Sequence, residues 1–177
     1  KAKALAKEMN YRPNPFAMSL RKNAPRIIGV VVPDIVTHFF ASILNGIENM
    51  AIANGYFVII TTSHESYEHE KRNIENLVNM RVEGIIACLS QETTDFSHIS
   101  ALKDINMPLI LFDRVCLTDQ FSSVVADGVQ SAQMATQHLL DNGSKRVAFI
   151  GGANHLDIVK RRKHGYLEAL RENRIPI

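Results

Sequence analysis

The chain has 177 residues, 46% of them hydrophobic and 21% charged, enough for one core and the beginning of a second. No apolar run approaches the roughly 20 residues that a bilayer helix needs, and the opening residues do not read as a secretory signal, so the expected location is cytoplasmic with no membrane partner. The net charge of +2 is unevenly placed: residues 1–26 carry seven cations against Glu8 alone, leaving thirteen cations against seventeen carboxylates beyond them, the pattern of a polyanion-binding arm beside a mildly acidic body.

Within the arm, the stretch NYRPNPFAMSLRKN covers residues 10–23. Asn14 before Pro15 suits a cap followed by proline at the first helical position, and Phe16 to Lys22 can then wind two turns. Helices shorter than about 12 residues are marginal in water, so this one is expected to form only when something holds it. Phe16 and Leu20 lie four apart on one face, followed by Arg21 and Lys22. Apolar wedges beside cations are what minor-groove binders insert between base steps. An ordinary linker packing Phe16 on the body is the other reading of the same residues.

From Arg26 the chain alternates between two periods. RIIGVVVP is a β-branched run, FFASILNGIENMAIANG has apolar residues at helical spacing, and YFVIIT, EKRNIENLVNMR, GIIACLS, a helical stretch from Phe96 to Ile105, and PLILFD repeat the rhythm. Nearly uninterrupted apolar strands predict burial on both faces, and right-handed crossovers then give an α/β fold with a doubly wound parallel sheet. After SSVVAD the same grammar restarts with the helix GVQSAQMATQHLLDNG, the strand KRVAFIGG and the helix KRRKHGYLEALREN. The last helix has no following strand, so a piece of a longer protein is expected.

Ligands of open α/β sheets bind at the carboxyl ends of the strands. Polar residues gather there: Asp34, then Thr62, Ser63 and His64, then Ser90, then Asp113 and Arg114, then Asp127, with Phe39 and Phe40 opening the first helix. Carboxylates accept sugar hydroxyls and an aromatic face covers the apolar side of a ring. Each of these residues also has a plain reading, since strand-end Asp often caps a helix and one of two adjacent Phe is usually core.

Catalytic motifs are missing. The sequence has no Gly-x-Gly-x-x-Gly, GGANHLDIVK lacks the Gly-Lys-Ser/Thr of a phosphate loop, and no Gly-x-Ser-x-Gly elbow occurs. HESYEH suggests zinc, but His64 and His69 are five apart, about 140° around a helix, and cannot share a helical face. Cys88 and Cys116 lack Cys-x-x-Cys spacing and are read as reduced thiols, Cys88 as buried. The expectation is a protein without enzymatic activity, cofactor or metal.

Taken together, NYRPNPFAMSLR, IIGVVVPDIVTHFFASILNGIE, RVEGII, PLILFDR, SVVAD and KRVAFIGG resemble the LacI/GalR family of bacterial transcriptional repressors over essentially the whole chain. That resemblance implies a helical remnant of a helix-turn-helix headpiece and a hinge helix in residues 1–26. It implies an N-terminal lobe of the type I periplasmic-binding-protein kind in 27–127 and the start of a C-terminal lobe in 128–177. DNA contacts would fall to Asn14, Pro15, Met18, Leu20, Arg21 and Lys22, with Leu20 as the wedge. Effector contacts would fall to Phe39 or Phe40, Asp113, Asp127 and a loop before Arg162, where Asp157 and Arg161 are the candidates. The implied partners are operator DNA, a small-molecule effector that is a carbohydrate or related metabolite, and a second copy of the chain. Met18 stands where the family often carries Arg, and VTHFF replaces the commoner Ser/Asn-Pro-Phe-Phe. A periplasmic-type sugar-binding protein shares the body and has no use for the cationic arm.

Overall fold

The computed structural model describes residues 26–176 together with Met9. The expectations for the hinge helix and for Asn14, Pro15, Met18, Leu20, Arg21 and Lys22 lie outside the described residues. The described elements are β1 (Ile27–Val32), α1 (His38–Ala53), β2 (Phe57–Thr62), α2 (Tyr67–Asn79), β3 (Gly84–Ala87), α3 (Ser97–Asp104), β4 (Leu109–Phe112), β5 (Ser122–Val124), α4 (Gly128–Asp141) and α5 (Asp157–Glu172).

All five strands run parallel in the order β2-β1-β3-β4-β5. Side chains alternate across a strand, so β1, β3 and β4 each feed two cores. Ile27, Val31, Ile85, Leu109 and Leu111 meet Ile74 and Leu77 of α2 and Ile99 and Leu102 of α3. Val30, Val32, Cys88 and Phe112 meet Phe40 and Leu44 of α1 on the opposite face. Helices therefore cover both faces, as the β-branched runs predict. α2 comes so near β1 that a Cβ on Gly29 would fall 2.7 Å from Leu77 Cδ1.

Three expectations change. The apolar run of β2 is not buried on both sides, because β2 is an edge strand: Phe57 is 68% and Ile60 43% exposed. KRVAFIGG forms no strand among the described residues. It lies instead along α5, where the Tyr166 hydroxyl donates to Val147 O at 2.9 Å and the Phe149 and Tyr166 rings stack at 5.4 Å. An extended segment becomes a strand only when a neighbour accepts its backbone hydrogen bonds, and Ile150 remains 97% exposed. Asp157 and Arg161, expected in a loop, are in the first two turns of α5, where the Asp157 carboxylate suits the positive end of the helix.

All five helices end alike. Each passes into a left-handed residue, Gly55, Arg81, Asn106, Gly143 and Arg174 in turn. The next residue then bonds back by its N–H: Tyr56 to Ala51 O, Val82 to Leu77 O, Met107 to Leu102 O, Ser144 to Leu139 O and Ile175 to Leu170 O. That is the Schellman closure, which satisfies carbonyls the helix leaves free. After α1, α2 and α3 it turns the chain toward the next strand.

Candidate functional site

β1 lies between β2 and β3, so the connections leaving β1 and β3 diverge to opposite faces of the sheet. Open α/β sheets take ligands where connections diverge in this way, at the carboxyl ends of the two strands. The loops there carry the polar residues expected from sequence.

Asp34 follows β1 and its carboxylate accepts the N–H groups of Val36 at 3.0 Å and Thr37 at 3.3 Å. The Val36 bond, foremost, holds its pKa below the ordinary carboxylate value. Of the adjacent aromatics, Phe40 is core, 6% exposed and edge-on to Phe112 at 6.4 Å, whereas Phe39 is 50% exposed at the head of α1. The aromatic face open to a ligand is thus Phe39, and Phe40 is its support, with ring centroids 5.1 Å apart.

The loop after β2 turns through two left-handed residues, His64 (φ 52) and Glu65 (φ 62). His64 therefore does not belong to a helix, and its ring sits edge-on to that of His69 with centroids 6.3 Å apart, a proximity that helical geometry forbade. Among the described residues no group of three or more His, Cys, Asp or Glu side chains could hold a metal ion.

Glu65 is the residue that sequence reasoning missed. Its carboxylate receives Arg114 through two bonds, Nη1 to Oε2 at 2.6 Å and Nη2 to Oε1 at 3.0 Å, and also accepts the Gln91 N–H at 2.7 Å. Arg114 Nη1 donates in addition to Leu89 O at 3.2 Å. Burial, the largest single influence, disfavours the Arg114 charge, but the bond to Glu65 together with the nearby negative charges, Glu65 and Asp113 among them, outweighs it and raises the pKa. One planar ion pair thus ties together the loops after β2, β3 and β4. The only hint in the sequence is that Glu65 falls at a strand end within HESYEH.

Asp113, at the end of β4, is half-buried and left-handed (φ 58), a conformation that Asp tolerates better than most side chains. Its N–H donates to Val124 O at 3.1 Å, which leaves the side chain outside the ladder. Asp127 caps α4, with Oδ1 accepting the Val129 and Gln130 N–H groups at 3.1 Å each. Arg161 Nη2 stands 3.7 Å from the same oxygen. The structure so brings Asp127 and Arg161 together, and Asp157 joins Arg114, Leu89, Cys116 and His155 around a cavity of about 200 Å³. His155 Nε2 meets Gln91 O at 2.7 Å, linking the loop before α5 to the loop after β3.

Ser63 and Ser90 are both fully buried, and the Ser90 hydroxyl donates to Ser63 Oγ at 2.6 Å. They brace the loops from below. Beneath them Glu70, fully buried, accepts the Ser90 N–H, the Thr93 hydroxyl at 2.9 Å and His98 at 2.9 Å. The arrangement lacks an activated nucleophile: these serines are buried, and burial pushes the thiols of Cys88 and Cys116 up to about 12. What it offers is a set of carboxylates and one exposed aromatic ring at the carboxyl ends of the strands, suited to accepting hydroxyl donors from a ring-shaped ligand.

Comparison with known proteins bears on the family of the chain. A family model described as periplasmic binding proteins and sugar binding domain of LacI family matches residues 26–176. Catabolite control protein A of Priestia megaterium is 33% identical over 174 residues, covering 96% of this chain and 51% of its own. The ribose operon repressor of Halalkalibacterium halodurans is 29% identical over 169 residues, covering 96% and 49%. The crystal structure of transcription regulator CcpA of Lactococcus lactis superimposes with a TM-score of 0.78 at 28% identity, over 85% of this chain and 55% of that one. The chain spans about half the length of the curated relatives it matches.

Proposed function

From the premise that this chain belongs to the LacI family of periplasmic-binding-protein-like domains, we propose that it is part of a cytoplasmic, homodimeric transcriptional regulator, a repressor in its simplest form. It binds operator DNA through residues 1–26 and a small sugar or related metabolite at the carboxyl ends of its strands. In this reading residues 27–127 form the first effector lobe and 128–177 open the second. The single observation that carries the proposal is the joining of a strongly basic segment to a sheet whose ligand end carries carboxylates and no reactive nucleophile. An exported sugar-binding protein would have no use for those seven cations.

Phe39, Asp113, Asp127, Asp157 and Arg161 are the proposed effector contacts, with Phe40 beneath Phe39. Asn14, Pro15, Met18, Leu20, Arg21 and Lys22 are the proposed DNA contacts. The test is a selection of random duplexes by the native protein at about 150 mM salt, near physiological ionic strength, followed by titration of the complex with neutral sugars and sugar phosphates. Enrichment of one duplex sequence, and a change in its affinity on adding one class of sugar, is expected. Retention of duplexes without sequence preference would overturn the DNA reading, and no response to any sugar would overturn the effector reading.

A further inference from the structure

The carboxyl ends of the strands, where the ligand is proposed to bind, and Arg26, the last residue of the basic segment, lie at opposite ends of β1. With six residues at about 3.3 Å each, the strand separates them by roughly 20 Å. Arg26 is exposed, yet groups of two neighbouring turns bond to it. It is left-handed (φ 44) although it is not glycine, a conformation that persists only when its surroundings impose it.

Its N–H donates to Glu83 Oε1 at 3.2 Å, and its carbonyl accepts the Phe57 N–H at 2.8 Å. Nη1 reaches Asn54 O at 3.4 Å, and the guanidinium carbon lies 6.0 Å from the centroid of the Tyr56 ring. A Cβ on Gly55 would fall 2.9 Å from Nη1, so the side chain lies close over the α1–β2 turn. Glu83, whose own N–H bonds Ile27 O at 2.8 Å, also stands beside the Tyr56 hydroxyl and pushes its pKa up. The turns α1–β2 and α2–β3 thus close on one residue, and the other six cations of the basic segment precede it.

We propose that Arg26, gripped by Glu83, Asn54 and Tyr56, is a positioning residue that fixes the direction in which the basic segment leaves the body. This rests on the reading of that segment as a DNA-binding arm. Arg26 is exposed, and surface contacts of this kind add little to folding stability. The clamp therefore acts on DNA binding and leaves the body's melting point alone.

The sign of one substitution separates the clamp from plain electrostatics. Removing Glu83 takes a negative charge away from the DNA side, which by charge alone tightens binding. The clamp predicts the reverse. In the native protein, with a duplex that it has itself selected, Glu83→Ala is expected to weaken binding about tenfold, a modest coupling between two parts of a molecule. The slope of log affinity against log salt stays unchanged, because no phosphate contact is lost. Glu83→Gln keeps the acceptor for the Arg26 N–H and stays close to wild type. Arg26→Lys keeps the cation, loses the reach to Asn54 and Tyr56, and weakens binding without touching the core, so it serves if Glu83→Ala does not fold. Wild-type or tighter binding by either Glu83→Ala or Arg26→Lys overturns the clamp alone. Absence of sequence-selective binding by the wild type overturns the DNA reading and the clamp with it.

Discussion

At the scale of single residues, the strand-end carboxylates divide by what they already hold. Asp113 leaves its side chain outside the ladder, whereas Asp127 is committed to the first turn of α4. Asn tolerates the left-handed conformation as Asp does, so Asp113→Asn removes charge with little strain. It is expected to lower effector affinity by roughly tenfold or more, in line with about 1.5–3 kcal/mol for a charge-assisted bond, with the melting point retained; calorimetry matching the wild type would remove Asp113 from the site. Asp127→Ala is expected, besides losing an effector contact, to cost about 1 kcal/mol of stability through the lost cap, read by denaturant melting. Asp95 provides a pH signature. Its carboxylate accepts the Ser97 N–H at 2.9 Å, the Ser97 hydroxyl at 2.8 Å and the Tyr67 hydroxyl at 3.1 Å, and the Ser97 N–H first of all lowers its pKa. A lowered folded pKa means stability that is present in full above the unfolded value of 3.8 and is lost as pH falls through the folded one. Asp95→Asn should flatten this part of the acid-unfolding curve; an unchanged curve below pH 4 would show that the cluster is not formed in solution. Which residues stand at strand ends was legible from the rhythm of apolar runs. Which of them cap, brace or stay free was not, because that depends on backbone groups several residues away.

At the scale of elements, the helix ends and one helix crossing set the sharpest tests. Three of the five left-handed closing residues are not glycine. Arg81 is exposed, and relieving about 1–2 kcal/mol of left-handed strain at some cost in unfolded-chain entropy makes Arg81→Gly stabilising by about 0.5–1 kcal/mol. A lower midpoint in urea would show that this turn is not left-handed in solution. The α4–α5 crossing is the opposite case. A Cβ on Gly165 would lie 2.0 Å from Val129 O, and the pair is further joined by Gln133 Nε2 to both Glu172 oxygens at 3.0 and 2.9 Å. Gly165→Ala should therefore push the helices apart at about 1–3 kcal/mol, the usual range for overpacking, seen as reduced amide protection of both helices. The sequence marked where these helices run but not their contact, since the clash involves a carbonyl 36 positions away. KRVAFIGG shows the same limit in reverse: its composition is that of a strand, and strand formation waits on a partner.

At the scale of the whole molecule, the proposed dimer needs apolar surface, and the described residues leave some open. The apolar residues of α1 divide: Ile43 and Ile47 pack toward the sheet, while Met50 and Ile52 are 67% and 65% exposed. The helix that carries them packs on the edge strand β2, where Ile60 is open on the α1 side and Phe57 on the opposite face. An apolar edge strand is a liability in a free monomer, and a two-fold interface would cover it. The native protein is accordingly expected to sediment as a dimer at about micromolar concentration, and Met50→Asp with Ile60→Lys to shift it to monomer with little loss of secondary structure, since a specific interface needs roughly 800 Å² per partner. A strict monomer in the unsubstituted protein would defeat this.

The order of strands and helices, the two-sided burial of β1 and the ligand end of the sheet follow from the sequence, because hydrophobic period and turn residues are local properties and right-handed crossovers leave few ways to connect them. The partners of those elements do not follow. Glu65 meets Arg114 across 49 residues, Arg26 meets Glu83 across 57, and Gln91 meets His155 across 64. Polar bonds of this kind have no period and no composition. They exist only where packed backbone brings donors and acceptors within about 3 Å, so they appear only once the chain has closed on itself.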